Sequence, residues 1–153
     1  MSSLTNKRII VGVTGSIAAY KSADLVRRLR EAGAEVRVIM TAGGREFITP
    51  LTLQAVSGQP LYSDLLDAGA EAGMGHITLA KWADLILIAP ASANCLARLV
   101  QGRGDDLLSA VSLAMSAPLA VAPAMNQAMW SNTAPEGNNA RVRTRGGPML
   151  RNA

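Results

Sequence analysis

The chain carries a single cysteine, Cys95, among its 153 residues, which excludes an internal disulfide and any zinc site built from several cysteines, and suits a reducing compartment. Aromatic residues are nearly as scarce. Phe47, Tyr20, Tyr62, Trp82 and Trp130 are the whole set, too few for a surface that binds nucleic acid by stacking bases. No apolar run is long enough to cross a membrane. Residues 1–7 are polar and lead into a short strand-like run, so no secretory leader is expected. These absences predict a soluble cytoplasmic protein with neither a membrane nor a nucleic-acid partner. The formal charge of +4 does not alter that expectation. Residues 131–153 carry Arg141, Arg143, Arg145 and Arg151 against Glu136, so +3 of the total sits in the tail and only +1 in the body. A basic end of this kind is more simply a solvated tail than a binding surface.

What is present is apolar and periodic. Hydrophobic residues make up 49% of the chain, enough for one α/β domain to bury a core without staples. Four runs predict strands: Arg8-Ile9-Ile10-Val11-Gly12-Val13, Val36-Arg37-Val38-Ile39-Met40, Leu85-Ile86-Leu87-Ile88-Ala89 and Leu119-Ala120-Val121-Ala122. After the first, Thr14-Gly15-Ser16 forms a turn that opens into helical periodicity over 17–32, with Ala18, Leu25, Val26 and Leu29 toward one side, Arg27, Arg28 and Arg30 toward the other, and Gly33 as the stop. Further helical stretches are expected around 52–56, 93–100 and 106–114. Strands this apolar, alternating with helices, belong to a parallel sheet covered on both faces. The predicted fold is α/β, a doubly wound, Rossmann-like parallel sheet.

In such sheets ligands sit beyond the carboxyl ends of the strands. The residues there are Thr14-Gly15-Ser16-Ile17, Thr41-Ala42-Gly43, Pro90-Ala91-Ser92-Ala93-Asn94 and Pro123-Ala124-Met125-Asn126, all small, polar or conformationally permissive. Gly15 can admit a backbone close to a ligand, and the amides of a helix start capped by Ser16 favour an anion such as phosphate. A Gly-Ser turn serves equally well as an ordinary cap. A dinucleotide fold would require G-x-G-x-x-G and an acidic residue at the end of the second strand, where this chain has Gly12-Val13-Thr14-Gly15-Ser16-Ile17 and Met40-Thr41. The Gly-Lys-Ser/Thr phosphate loop is absent too. A mononucleotide such as FMN fits what remains.

Two polar groups stand out against Gly- and Ala-rich surroundings: His76 in Met74-Gly75-His76-Ile77, and Asn126 in Pro123-Ala124-Met125-Asn126. Polar side chains are poorly placed there unless something binds. Together with Gly15-Ser16-Ile17-Ala18-Ala19-Tyr20-Lys21, Phe47-Ile48-Thr49-Pro50-Leu51, Trp82-Ala83-Asp84 and Ala89-Pro90-Ala91-Ser92-Ala93-Asn94, these motifs resemble the homo-oligomeric flavin-containing cysteine decarboxylases. The likeness is greatest to the phosphopantothenoylcysteine decarboxylase domain that opens bacterial bifunctional coenzyme A biosynthesis proteins. It runs in order from about Lys7 to Trp130.

The resemblance implies FMN held by the strand-end loops, in trimers that bacterial members assemble into dodecamers. It places Gly15, Ser16 and Ile17 at the flavin phosphate and ribityl end, Thr41 nearby, and Ser92, Ala93, Asn94 and Ala124 around the rest of the pocket. Cys95 then lines that pocket as a small hydrophobe. The implied reaction is FMN-dependent decarboxylation of 4'-phosphopantothenoylcysteine to 4'-phosphopantetheine, with no net redox change. His76 matches the family's active-site histidine, which handles the thiol proton or orients the substrate, and an imidazole near its ordinary pKa can do so. From the residues alone it is more simply a histidine satisfied at a helix start, and only the motif resemblance reverses that reading. Asn126 matches the substrate-binding asparagine, whose amide can address both carboxylate and amide groups. Asn94 is as readily a helix cap as a flavin contact, and Trp82 and Trp130 are more simply packing.

Residues 1–153 are expected to form a single FMN-binding domain that stops short of the family's Cys-Gly segment, which carries the proton donor for the reductive half. Full turnover is therefore an open point of the expectation. The alternatives are a catalytically incomplete FMN-binding oligomer, a decarboxylase of peptide C-terminal cysteines, or a flavin prenyltransferase; the Gly75-His76-Ile77 motif argues against the last two.

Overall fold

Four apolar runs form one parallel sheet: β1 (Arg8–Val13), β2 (Glu35–Met40), β3 (Leu85–Ala91) and β4 (Leu119–Pro123), in the order β2-β1-β3-β4. The computed structural model describes residues 4–63 and 75–123. Successive side chains of a strand point to opposite faces, and here both faces are buried. Ile9, Val11 and Val13 of β1 join Val36, Val38 and Met40 of β2 in one core; Ile10, Ile39, Ile86, Ile88 and Val121 belong to the other. Ile10, Val11, Val13, Val38, Ile39, Met40, Ile86 and Ile88 are all 0% exposed. Each such side chain contributes on the order of 1.5–3 kcal/mol relative to exposure, which is why these runs form central strands.

Helices cover each face. On the first lie α1 (Lys21–Glu31) and α2 (Pro50–Ser57), through Val26 and Leu53. On the second lie α3 (His76–Trp82), α4 (Ala93–Gln101) and α5 (Leu107–Ala114), through Leu79, Leu96, Leu99, Leu107, Leu108 and Val111. Their ends follow local chemistry. Thr49 caps α2 ahead of Pro50 and Gly58 closes it at φ 68°; Ser92 caps α4 and Gly102 closes it at φ 68°. Asp106 and Ser109 form a reciprocal capping box on α5.

The helix expected over 17–32 is divided. Ile17–Tyr20 is a 3-10 turn, in which Ala19 N–H bonds Ser16 O at 2.9 Å, and the α-helix starts at Lys21. Tight turns of this kind commonly begin helices. They rotate the face, so that Ala19, rather than the expected Ala18, is the fully buried alanine. Leu25, Val26 and Leu29 face inward and Arg27, Arg28 and Arg30 outward, as the periodicity predicts.

The strand order creates the site. From β1 the chain leaves for α1 on one face, and from β3, its neighbour, it leaves for α4 on the other, so a crevice opens between them at the carboxyl edge. Tyr62 extends the outer side of β2, its N–H bonding Val38 O at 3.0 Å and its carbonyl accepting Met40 N–H at 2.8 Å. Ser63 is thereby delivered to the same edge.

Candidate functional site

Three strand ends are tied together at the crevice. The β1–β3 ladder ends at Gly12↔Ile88. Beyond it, Thr14 N–H reaches Pro90 O at 3.3 Å, while Thr14 Oγ1 donates to the same carbonyl at 2.6 Å and accepts Ser92 N–H at 2.8 Å. On the other side, Thr41 N–H bonds Val13 O at 3.0 Å and Thr41 Oγ1 accepts Gly44 N–H at 3.2 Å. This brings the loop after β2 against the loop after β1. A Cβ on Gly15 would lie 3.1 Å from the backbone of Gly43, so both positions suit glycine for lack of space.

A cavity of about 330 Å³ opens over these ends. Its polar wall comes from Thr14, Thr41, Ser63, Ser92 and Asn94, its floor includes Cys95, and its outer side is Arg98 with Asp105 and Asp106. Arg98 Nη1 donates to Asp105 Oδ1 at 2.6 Å, Arg103 Nη2 holds Asp105 Oδ2 at 2.9 Å, and Asp106 lies 3.8 Å from Arg98. These pairs hold the 102–106 loop against α4. Burial works to raise the Asp105 carboxyl, but its own backbone N–H and the charges of Arg103 and Arg98 outweigh it and keep the group below its usual value. Burial pushes the Cys95 thiol up to about 12, with the Asp106 charge adding and Arg98 opposing. A thiol that high stays protonated at neutral pH and behaves as a small hydrophobe rather than a nucleophile.

Of the candidate residues, Thr41, Ser92, Asn94 and Cys95 stand on this wall, and Gly15 touches it through Gly43. Ser16, Ile17 and Ala93 are not on the wall. Ser16 Oγ accepts Ala18 N–H at 3.1 Å, Ser92 Oγ accepts Cys95 N–H at 3.1 Å, and Ile17 is 81% exposed. Both serines are thus caps. Ser92 fills the role that Asn94 was equally able to take, and Asn94 lies exposed at the mouth. The first N–H groups of α4, those of Ala93 and Asn94, lie outside the helix's own ladder, an arrangement that favours an anion.

His76 is the first residue of α3, half-buried, with Gly75 before it and no side-chain cap. The far end of the helix is fixed by Trp82, over which the Arg37 guanidinium lies at 5.0 Å; Arg37 Nη1 also donates to the Tyr62 hydroxyl at 3.1 Å. His76 does not line the described cavity. Ala124 and Asn126 lie outside the described residues. A smaller space of about 100 Å³ sits on the α1 side between Lys21, Ser22, Leu25, Pro90 and Ala122, next to the end of β4.

Sequence reasoning found the strand-end loops but not the Arg98–Asp105 wall or the Thr14 bond pair. Arg98 has the signal of a cation on a helix whose N-terminus faces the site, pointing back toward it.

Comparison with known proteins identifies the family and the fold. The sequence profile of the flavoprotein family matches residues 1–151. The coenzyme A biosynthesis bifunctional protein CoaBC of Vibrio vulnificus (strain YJ016) is 59% identical over 146 residues, 95% of this chain and 36% of that protein, so the chain spans about a third of that relative's length. A probable phosphopantothenoylcysteine decarboxylase of Streptococcus mutans is 45% identical over 139 residues, 90% of this chain and 78% of that one. Among solved structures, the FMN-dependent cysteine decarboxylase SpaF superposes with a TM-score of 0.89 at 36% identity, covering 97% of this chain and 86% of that chain. A profile match over nearly the whole chain, with that degree of identity to a relative it mostly spans, makes this chain a member of the flavoprotein family, alongside the phosphopantothenoylcysteine decarboxylases.

Proposed function

We propose that this chain is an FMN-binding domain that decarboxylates 4'-phosphopantothenoylcysteine to 4'-phosphopantetheine in cytoplasmic coenzyme A biosynthesis. The observation that carries the reading is the 45% identity to a probable phosphopantothenoylcysteine decarboxylase over 78% of that protein. The site is consistent with the cofactor. A polar cavity of about 330 Å³ at the β1/β3 switch point, with glycines where a Cβ would meet backbone, is the form of site that holds a mononucleotide in this strand order.

On this reading the Gly15-Ser16-Ile17 backbone, beside the cavity rather than on its wall, and the first amides of α4, those of Ala93 and Asn94, would hold the anionic end of FMN, while Thr41 and Asn94 on the wall would address its hydroxyl-bearing chain. Cys95 and Ala124 line the pocket. Bound there, FMN would supply reversible two-electron chemistry at the substrate's cysteine portion, with no net redox change over the reaction. His76 takes the substrate thiol proton on an imidazole nitrogen, and the Asn126 amide orients the substrate through its carboxylate and amide. The carboxylate leaves as carbon dioxide and a proton takes its place on carbon.

The reading treats residues 1–153 as one domain in a homo-oligomer, either a trimer or a dodecamer assembled from four trimers. Ile17 at 81%, Tyr20 at 61% and Leu51 at 73% exposure, all following β1 or β2 toward the carboxyl edge, support a covering copy. The test is mass spectrometry of 4'-phosphopantothenoylcysteine incubated with FMN-loaded protein. Substrate shortened by one carbon dioxide is expected. Unchanged substrate, with peptides ending in cysteine decarboxylated instead, would assign the chain to the other substrate class.

A further inference from the structure

We infer that the Thr14 hydroxyl is the positioning group that sets the spacing of the two loops proposed to hold FMN, an inference that rests on the flavin reading above. The β1–β3 ladder holds the two strands in register only from Ile9↔Leu85 to Gly12↔Ile88. Past that point the chains part toward opposite faces, and the backbone offers one long link, Thr14 N–H to Pro90 O at 3.3 Å. The hydroxyl adds two shorter ones, to Pro90 O at 2.6 Å and from Ser92 N–H at 2.8 Å.

Its partners make this position unlike the other hydroxyls of the edge. Thr14 directly precedes Gly15, the start of one loop, and Ser92 directly precedes Ala93, the start of the other. Ser92 passes the constraint on by capping α4 through Cys95 N–H at 3.1 Å. One oxygen therefore ties the start of one proposed phosphate loop to the N-terminus of the helix that supplies the other. Thr14 is 1% exposed, so water competes little for its hydroxyl. Removal of the hydroxyl leaves the Ser92 N–H without this acceptor and, among the described residues, the 3.3 Å bond as the remaining hydrogen bond between Thr14 and the β3 end. A ligand that must touch both loops then meets a site with variable separation and loses the advantage of a preformed one.

The test is FMN titration by fluorescence quenching, alongside thermal unfolding of the FMN-free protein, for wild type, Thr14→Val, Thr14→Ala, Thr14→Ser and Ser57→Ala. Valine keeps the shape and removes both bonds, and should raise the FMN Kd about tenfold or more. Serine keeps the hydroxyl and should stay within about threefold of wild type. Ser57, 3% exposed and bonded among the described residues to Gln54 and Gln59 at the end of α2, is the control for buried-hydroxyl loss away from the loops. Its alanine variant should lower the melting temperature and leave Kd unchanged. Wild-type affinity in Thr14→Val overturns the inference, as does a serine variant weakened as much as valine. If valine prevents folding, the alanine and serine variants make the same comparison, with weak binding in the first and retained binding in the second as the supporting result. Wild type that binds no FMN removes the flavin reading and this inference together, whereas tight wild-type binding with an indifferent Thr14→Val removes the inference alone.

Discussion

Adding one methyl group at Gly44 probes how tightly the loop after β2 is pressed against the end of β1. A Cβ there would lie 2.7 Å from the Val13 carbonyl oxygen and 3.2 Å from Met40 Cγ. The carbonyl belongs to the last residue of β1, held by its pairing with Met40 of β2 and by the Thr41 N–H, so the cheaper movement is that of the loop. The loop then yields by roughly 0.7 Å to regain ordinary contact. That movement stretches the Thr41 N–H bond to Val13 O, now 3.0 Å, and parts Gly43 from Gly15. Overpacking costs about 1–3 kcal/mol and weakening one buried hydrogen bond about 1 kcal/mol. Gly44→Ala should therefore lose about 2–4 kcal/mol, or about 6–12 °C in melting temperature for a domain of this size. The assay is thermal unfolding followed by circular dichroism, with Gly104→Ala as the comparison. At Gly104 a Cβ meets Leu113 Cδ1 at 3.4 Å, Ala110 Cα at 3.6 Å and Ala110 Cβ at 3.9 Å, ordinary contacts, so that variant should be neutral or slightly stabilised by its stiffer unfolded chain. Melting of the two variants within about 1 °C of each other would refute the reasoning.

Cys95 should resist thiol reagents at neutral pH in the folded protein and react once the chain is unfolded. Its folded-state pKa is raised from 9.0 to about 12, chiefly by burial. The stabilising effect of the neutral thiol is therefore complete below about pH 9 and is lost as pH rises toward about 12, because the unfolded chain ionises first. Cys95→Ala should flatten that part of the stability profile, and an unchanged slope would contradict the assignment. Ser92→Ala should cost about 1 kcal/mol through loss of the α4 cap, whereas Asn94→Ala should leave the melting temperature unchanged because Asn94 does not cap the helix; equal effects in thermal unfolding would count against this division. His76→Asn should retain FMN, measured by absorbance of the purified protein, and lose flavin reduction by substrate. Undiminished reduction in that variant would remove the role proposed for the histidine.

All four strands were legible in the sequence because each is a mostly apolar run, with buried residues on both faces even in β2, where Arg37 interrupts one of them, the mark of a parallel sheet between two helical layers. Their carboxyl ends pointed to loops that line the cavity, since strand order and chain direction place every such end on one edge. What escaped the sequence depends on contacts between distant residues. The Thr14–Pro90 and Thr14–Ser92 bonds span separations of 76 and 78 residues, and a threonine after a strand looks the same whether or not its hydroxyl bridges two loops. The opposition of Gly15 and Gly43 is equally invisible until β1 and β2 are placed side by side. Helix starts were blurred for a local reason. Ser16, Ser92 and Asn94 all have capping chemistry, and only the backbone geometry shows that the two serines cap while Asn94 faces the cavity mouth.

The most direct test is the anaerobic absorbance spectrum of the FMN-loaded protein before and after 4'-phosphopantothenoylcysteine is added. The proposed function predicts bleaching of the oxidised flavin bands as the substrate's cysteine portion gives up electrons. A flavin spectrum that stays fully oxidised with saturating substrate would contradict it, leaving a flavin-binding domain of this family without that activity.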